Sequence, residues 1–236
     1  MGKYYYQKSS QKKTKKYLRL TSYFLLLIGI SIIIYALFPI ISWQIYFQPA
    51  LASQNITISI PRADIVELAK NSFDTTDYTK AENWFKDFNL NSNRQNQTDI
   101  PFYTLSIPAI KIEEAIVSTI DTDLQKHLVN YQGTAIPGKN GNAVIFGHST
   151  LPQLFNMKDY KTTFANAYKL KNGDLIYAML NGVTYTYKIF KSMVVEPSDS
   201  SALIQDYDNS YLTIVTCTPP GTTWKRLIIK ARLENL

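Results

Sequence analysis

The 236-residue sequence contains a single cysteine, Cys217. One cysteine cannot form a disulfide within the chain, and it excludes metal sites built from several cysteines. Free cysteine is among the most frequently buried residue types, so Cys217 taken alone would be interpreted as inert core filling. A functional assignment for this thiol therefore needs support from its surroundings.

Acidic residues are absent from the first nineteen positions, which carry seven of the 25 lysines and arginines. The other 18 basic residues balance the 18 acidic ones, so the formal net charge of +7 belongs entirely to this tail. A globular part that is neutral overall offers no general footprint for phosphate backbones. We therefore predict no nucleic-acid partner.

Charged side chains are also absent from Leu20 to Pro61, and Tyr23 to Ile41 is almost entirely apolar, about the length a helix needs to cross hydrocarbon. Lysines before a single span favour a cytoplasmic N-terminus. We expect a basic cytoplasmic tail at 1–19, a transmembrane anchor at 20–47 and an exported remainder. A cleaved signal peptide is the alternative, because Ala50-Leu51-Ala52 resembles a cleavage site, but the apolar stretch is longer than an ordinary signal core.

Large aliphatic residues are few between positions 48 and 100, where 89–98 is a polar run. Such a composition cannot bury enough apolar surface to fold alone. The segments Arg62–Lys70 and Thr79–Phe88 are interpreted as short helices. We predict an extracytoplasmic stalk with docked helices, and the alternative is a lid that packs on the following domain through Trp84.

Residues 101–236 alternate β-type segments with turn signals, which favours an all-β, closed barrel with one or two short helices. Asn181-Gly182, between two alternating apolar runs, is a strong signal for a two-residue hairpin. Leu124–Leu128 is interpreted as a short helix. The predicted strands are Phe102–Ile107, Ala115–Ser118, Ala143–Gly147, Asp174–Leu180, Val183–Glu196, Tyr211–Thr216 and Trp224–Leu233.

Cys217 follows the apolar run that forms one of these strands, and Pro219-Pro220-Gly221 then interrupts the strand. The next strand begins near Trp224 and carries Arg226 at its start. A thiol at a strand end can face a groove, and a nearby guanidinium can favour thiolate or hold a developing oxyanion.

The segment Thr213–Cys217, with Arg226 on the following strand, resembles the T-L-x-T-C signature of sortases, with Ile214 in place of the leucine. Gly141–Ser149 resembles the G-N-x-V-I-x-G-H stretch of the same family. Gly133–Gly138 resembles the G-T-x-x-P-G segment that precedes it. Three separated motifs in family order make the resemblance specific, and it covers roughly Phe102 to Leu233.

The resemblance implies a closed sortase-like β-barrel of about eight strands and a cysteine transpeptidase that works through a thioester. Cys217 would attack a peptide carbonyl, His148 would exchange protons with the leaving and incoming amines, and Arg226 would stabilise the oxyanion or hold the substrate backbone. The residues predicted to contact substrate are Thr216, Pro219 and Pro220.

The implied substrate is a secreted protein with a C-terminal sorting signal of the L-P-x-T-G kind, joined to an amine of the cell envelope or of a pilin. Two alternatives stay open. An exported cysteine hydrolase or peptidase would use the same three residues and give the thioester to water. A non-catalytic exported β-barrel binding domain would keep the barrel without the chemistry.

The second histidine, His127, lies between Lys126 and Leu128 without motif context and is interpreted as a surface residue. Some sortases bind calcium. Here Glu113-Glu114 and the pair Asp121 and Asp123 are interpreted as solvated loop charges, so no cofactor or metal site is assigned.

Overall fold

The computed structural model describes residues 11–42, 76–85 and 100–234. The chain divides into two compact units, residues 1–46 and residues 47–236. The cleavage-site alternative at Ala50–Ala52, the predicted helix at Arg62–Lys70 and the polar run at 89–98 lie outside the described residues.

The first unit contains helix α1, Gln11–Ser42. Its segment Lys16–Phe38, 23 residues, is long and apolar enough to cross a membrane. The hydroxyls of Thr21 and Ser31 donate to backbone carbonyls of the preceding helical turn at 2.9 Å. These polar groups therefore have partners inside the helix, as an apolar surrounding requires.

Among the described residues of the second unit, eight strands close into one barrel, in the spatial order β1-β2-β3-β4-β7-β8-β6-β5. The β2–β3 and β4–β7 pairs are parallel, and the other pairs are antiparallel. This confirms the predicted fold class. The strands are β1 Phe102–Ile107, β2 Ile112–Ser118, β3 Leu128–Asn130, β4 Gly141–Phe146, β5 Leu175–Leu180, β6 Val183–Val195, β7 Ser210–Thr218 and β8 Lys225–Leu233.

The predicted hairpin joins β5 to β6. Leu180 pairs with Val183, and the two residues between them, Asn181 and Gly182, have φ angles of 50° and 79°. Two positive φ angles match the twist of the flanking strands, which is why asparagine and glycine are favoured there.

The helix predicted at Leu124–Leu128 is wrong. The segment forms a turn, and Leu128 begins strand β3, which the sequence did not indicate. Leu124 is fully buried, and its backbone N–H donates to the Thr79 carbonyl at 2.9 Å. A three-residue strand is too short to show a hydrophobic period, and the residues that pair with it on β2 and β4 are not its neighbours in sequence.

Strands β4 and β7 and the part of β8 from Arg226 to Ile229 are buried on both faces because residues 76–85 and a 3-10 turn at Ser201–Leu203 cover the outside of the barrel. We call residues 76–85 the covering segment. Alternate residues of the three strands point outward and join it in one apolar cluster. The members of this outer cluster from these three strands and the covering segment are Ala81, Trp84, Phe85, Val144, Phe146, Val215, Cys217 and Ile228, and Leu124, Val129, Ala202 and Leu203 complete it.

Candidate active site

Strand register brings the three predicted catalytic residues to one end of the outer cluster. Cys217 of β7 lies directly opposite Arg226 of β8. Phe146, the last residue of β4, pairs with Val215, so His148 and Cys217 each lie two positions beyond a paired residue. Side chains two positions apart in extended backbone share a face. The barrel therefore places His148 and Arg226 on either side of the thiol.

The Arg226 side chain is fully buried, and its Nη1 lies 3.7 Å from Cys217 Sγ. Nη1 also donates to the Thr223 carbonyl at 3.0 Å. Nε and Nη2 are buried without a hydrogen-bond partner among the described residues. A buried guanidinium with unused donors is costly, and it is suited to bind an oxygen that carries negative charge.

Two aromatic rings of the covering segment contact this guanidinium. Arg226 Cζ lies 5.3 Å from the Tyr78 ring centre and 5.0 Å from the Trp84 ring centre. Trp84 Nε1 donates to the main-chain carbonyl of Tyr78 at 2.8 Å, which ties the indole to the backbone of Tyr78. Attraction between the cation and the two rings partly offsets the cost of burying the charge.

The covering segment is attached to the barrel by backbone hydrogen bonds. Ala81 N–H donates to the Thr122 carbonyl at 3.0 Å, beside the bond from Leu124 N–H to the Thr79 carbonyl. The Trp84 ring also packs edge-on against Phe146 at 5.4 Å. The helix predicted over Thr79–Phe88 is a single 3-10 turn at Ala81–Trp84 in its described part.

His148 is half-buried, with its ring 6.1 Å from the Trp84 ring. Burial lowers the pKa of His148, and the charge of Lys161 lowers it further, while Asp123, Asp159 and Asp77 act in the opposite direction. The neutral imidazole is therefore favoured in this conformation.

Cys217 is 5% exposed. Burial raises the pKa of its thiol, and the Arg226 charge only partly opposes that effect. Together with the lowered pKa of His148, this favours the neutral thiol and the neutral imidazole in the covered site, which is a poorly reactive state of the nucleophile.

The three residues predicted to contact substrate are all buried in this conformation. Thr216 lies on the opposite face of β7 from Cys217, is 1% exposed, and donates its hydroxyl to the Gly147 carbonyl at 2.8 Å. Pro219 and Pro220 follow the thiol in the turn between β7 and β8. Their contact with substrate stays a prediction.

His127 is not the surface residue that its local sequence suggested. It is 7% exposed, with Nε2 2.9 Å from Asp121 Oδ2 and Nδ1 3.1 Å from the Leu128 carbonyl oxygen. Its partner Asp121 is six positions away across a turn, so flanking residues did not reveal the burial.

Asp123 contacts Lys126 at 3.0 Å, and the described residues contain no acidic, histidine or cysteine cluster able to hold a metal ion.

Two residues beside the site were missed by sequence reasoning. Tyr78 stacks on Arg226, and no sequence pattern connects the two positions. Ser149 donates its hydroxyl to the Cys217 carbonyl at 2.6 Å. In the sequence, only the position of Ser149 directly after His148 indicated that it lies near the site.

A family model described as Sortase domain matches residues 105–234, more than half of the chain. The chain is 31% identical over 129 residues to Sortase D of Bacillus subtilis (strain 168), a match that covers 53% of this chain and 60% of that protein. The chain therefore spans less than two thirds of this curated relative.

Solved structures agree in fold. A lid mutant of Sortase A from Corynebacterium diphtheriae has a TM-score of 0.50 and 31% identity, covering 58% of this chain and 71% of that chain. Sortase C-1 from Actinomyces oris has a TM-score of 0.51 and 26% identity, covering 59% of this chain and 77% of that chain.

Proposed function

The chain belongs to the sortase family, and from this premise we propose that it is a cysteine transpeptidase. The observation that carries the proposal is the buried pair of Cys217 Sγ and Arg226 Nη1, 3.7 Å apart, at the strand end that His148 shares. A buried cation beside a lone thiol has no role in ordinary core packing. It suits a reaction in which negative charge develops next to sulfur.

The reaction follows from the positions of these groups. Cys217 Sγ gives its proton to His148 and attacks the carbonyl carbon of a peptide bond, and the C–N bond breaks as His148 donates that proton to the departing amine. The acyl group is then held as a thioester. His148 takes a proton from an incoming amine, which attacks the thioester carbonyl, and the thiolate leaves. The unused Nε and Nη2 donors of Arg226 are placed to stabilise the oxyanion in both steps.

We assign as substrate a secreted protein with a C-terminal signal of the L-P-x-T-G kind, and as acceptor an amine of the cell envelope or of a pilin. The support is the resemblance of the three motifs to the family.

The apolar helix α1 supports attachment to a membrane, and the basic residues before its apolar part support a cytoplasmic N-terminus with an exported barrel. Protection of residues 100–234 from protease added outside intact cells would contradict this topology.

The test uses the full-length protein in detergent with a peptide library built around L-P-x-T-G and an excess of a small amine nucleophile. Mass spectrometry should find the N-terminal fragment joined to the amine. An exclusively hydrolysed product at saturating amine would support the hydrolase alternative. Absence of any cleavage, with a thiol that does not react with a vinyl-sulfone substrate mimic, would support the non-catalytic binding domain.

Arg226→Ala should lower kcat/KM for transfer by roughly 10²–10³, the range expected when an oxyanion donor is removed. Arg226→Lys should recover only part of that loss, because an ammonium keeps the charge but lacks the paired donors. Steady-state transfer rates measure both effects. The matched control is Arg232→Ala on the exposed part of the same strand, which should stay within a few fold of the parent. Equal activity of Arg226→Ala and the parent would remove Arg226 from the mechanism.

We further propose that the covering segment acts as a lid over the site. Trp84→Ala should raise the rate of Cys217 alkylation by iodoacetamide about tenfold or more, because loss of a buried indole costs more than the 1.4 kcal/mol that a tenfold shift of the opening equilibrium requires. The control is Phe190→Ala, which removes a half-exposed ring that packs on Tyr211. Tyr211 lies six positions from Cys217 along β7, roughly 20 Å away.

The pH dependence of Cys217 alkylation should also change in the Trp84→Ala variant. In the covered site burial raises the pKa of Cys217 and lowers the pKa of His148. Removing the indole hydrates both groups, so the thiol should ionise at lower pH and the imidazole should stay protonated to higher pH. The alkylation profile of the variant should therefore lie at lower pH than that of the parent. An unchanged rate and profile in a folded Trp84→Ala protein would contradict a lid.

A further inference from the structure

Side-chain hydroxyls continue the β4–β7 pairing beyond the end of β4. The regular parallel register stops at Phe146 and Val215, and Gly147 N–H still donates to the Val215 carbonyl at 3.3 Å. From there Thr216 Oγ1 donates to the Gly147 carbonyl, and Ser149 Oγ donates to the Cys217 carbonyl. Gly147 and Ser149, the residues on either side of His148, are thus hydrogen-bonded to Thr216 and Cys217, respectively.

Of these three hydrogen bonds, the one made by Ser149 lies farthest beyond the end of β4. The Ser149 hydroxyl reaches the Cys217 carbonyl at 2.6 Å, the short end of the O–H···O range, across 68 positions of sequence. Its own carbonyl accepts the N–H of Gly221 at 3.4 Å, in the turn that follows Cys217. Ser149 therefore connects the backbone of His148 both to the nucleophile and to the turn beside it.

Resting on the proposed function, we propose that Ser149 is a positioning residue that holds the imidazole of His148 in register with the Cys217 thiol. His148 and Cys217 both lie past the last residues that pair in the β4–β7 register, Phe146 and Val215, so the regular pairing of these two strands does not fix their separation. Reactive groups displaced by about 1 Å can lose 10²-fold in rate, so a bond at this point has a direct effect on turnover.

The hydroxyl acts through the backbone and not on the substrate. Its one proton is committed to the Cys217 carbonyl, so it has none to donate to a substrate oxygen or to the leaving amine. Removing it should leave binding of the sorting signal intact. The loss should appear in the chemical step, where the imidazole and the thiol must meet.

The test compares Ser149→Ala with Ser149→Thr, which keeps the hydroxyl. Ser149→Ala should lower kcat by about tenfold, within the range that misplacement of a catalytic group causes, with KM within twofold of the parent. Ser149→Thr should restore most of the loss. The matched control is Ser106→Ala, which removes a half-buried hydroxyl that accepts the Glu114 N–H at 2.9 Å on β1. Its kcat should equal that of the parent.

A second measurement does not depend on transpeptidation. Alkylation of Cys217 is followed in the parent, Ser149→Ala, His148→Ala and the double variant, with thermal unfolding of each. If Ser149 acts through His148, the Ser149 substitution should slow alkylation at neutral pH in the parent and have almost no effect in the His148→Ala background. Melting temperatures of Ser149→Ala and Ser106→Ala should be similar.

Three outcomes would overturn the positioning role. They are an unchanged kcat in Ser149→Ala, a folded Ser149→Thr without recovery, and equal effects of Ser149→Ala on alkylation in both His148 backgrounds. A parent protein that performs no transfer would refute the proposed function, and the alkylation cycle would still decide the role of Ser149.

Discussion

Cys217→Ala should abolish both cleavage of the sorting signal and transfer to the amine. The chain has no second cysteine, so no other thiol can form the thioester. The variant should fold, because the 5% exposed side chain lies in an apolar cluster where alanine is tolerated. The measurement is product formation by purified protein, with circular dichroism to confirm the β-rich fold.

The control for this prediction is a measurement of peptide binding. Cys217→Ala should still bind a sorting-signal peptide, because the thiol is needed for chemistry and not for recognition. Full transpeptidation by a purified Cys217→Ala protein would refute the sortase mechanism for this chain. Cleavage retained with transfer lost would be equally incompatible, since both half-reactions pass through the same thioester.

The strand ends that form the site were predictable because their signals are local. An apolar β-branched run followed by Pro219-Pro220-Gly221 defines the end of β7, and glycine-bounded Ala143–Gly147 defines β4 to within two residues at each end. Asn181-Gly182 set the β5–β6 register by turn chemistry alone. Each of these features depends on residues within a few positions of one another.

The features that sequence did not predict depend on partners that local sequence patterns do not identify. Strand β3 exists because Leu128 and Val129 pair with β2 and β4, and three residues carry no period of their own. His127 is buried because it meets Asp121 across a turn. The stacking of Tyr78 on Arg226 joins positions far apart in the chain, and only Trp84, an aromatic residue in a polar region, indicated that contact with the barrel was possible.

The protonation state of the covered site adds a constraint on the mechanism. Attack requires thiolate and imidazolium, yet burial raises the pKa of Cys217 and lowers that of His148. Both shifts disfavour the reactive pair while Trp84 and Tyr78 cover Arg226. In the proposed lid mechanism, a substrate that displaces these rings would expose His148 to water and present a carbonyl to Nε and Nη2 of Arg226. Recognition and activation of the nucleophile would then occur in one step.

His148→Ala should lower kcat/KM for transfer by about 10²–10⁴, the usual contribution of a general acid–base group, because the leaving amine needs a proton. The bell-shaped pH profile of the parent should lose the limb that belongs to the imidazole. Transfer rates across pH measure both effects. The loss should exceed that of Arg226→Ala, since the proton transfer has no substitute among the described residues at this strand end.

The matched control is His127→Ala, and the structure changes what it should show. His127 is buried and hydrogen-bonded, so its removal should lower the free energy of unfolding by about 1–3 kcal/mol, through loss of its bonds to Asp121 and the Leu128 carbonyl. Activity per folded molecule should remain within a few fold of the parent, because His127 lies before β3 and outside the group formed by His148, Cys217 and Arg226. An inactive His127→Ala beside an active His148→Ala would show that the motif assignment of the histidine is wrong, even if the thioester chemistry at Cys217 were retained.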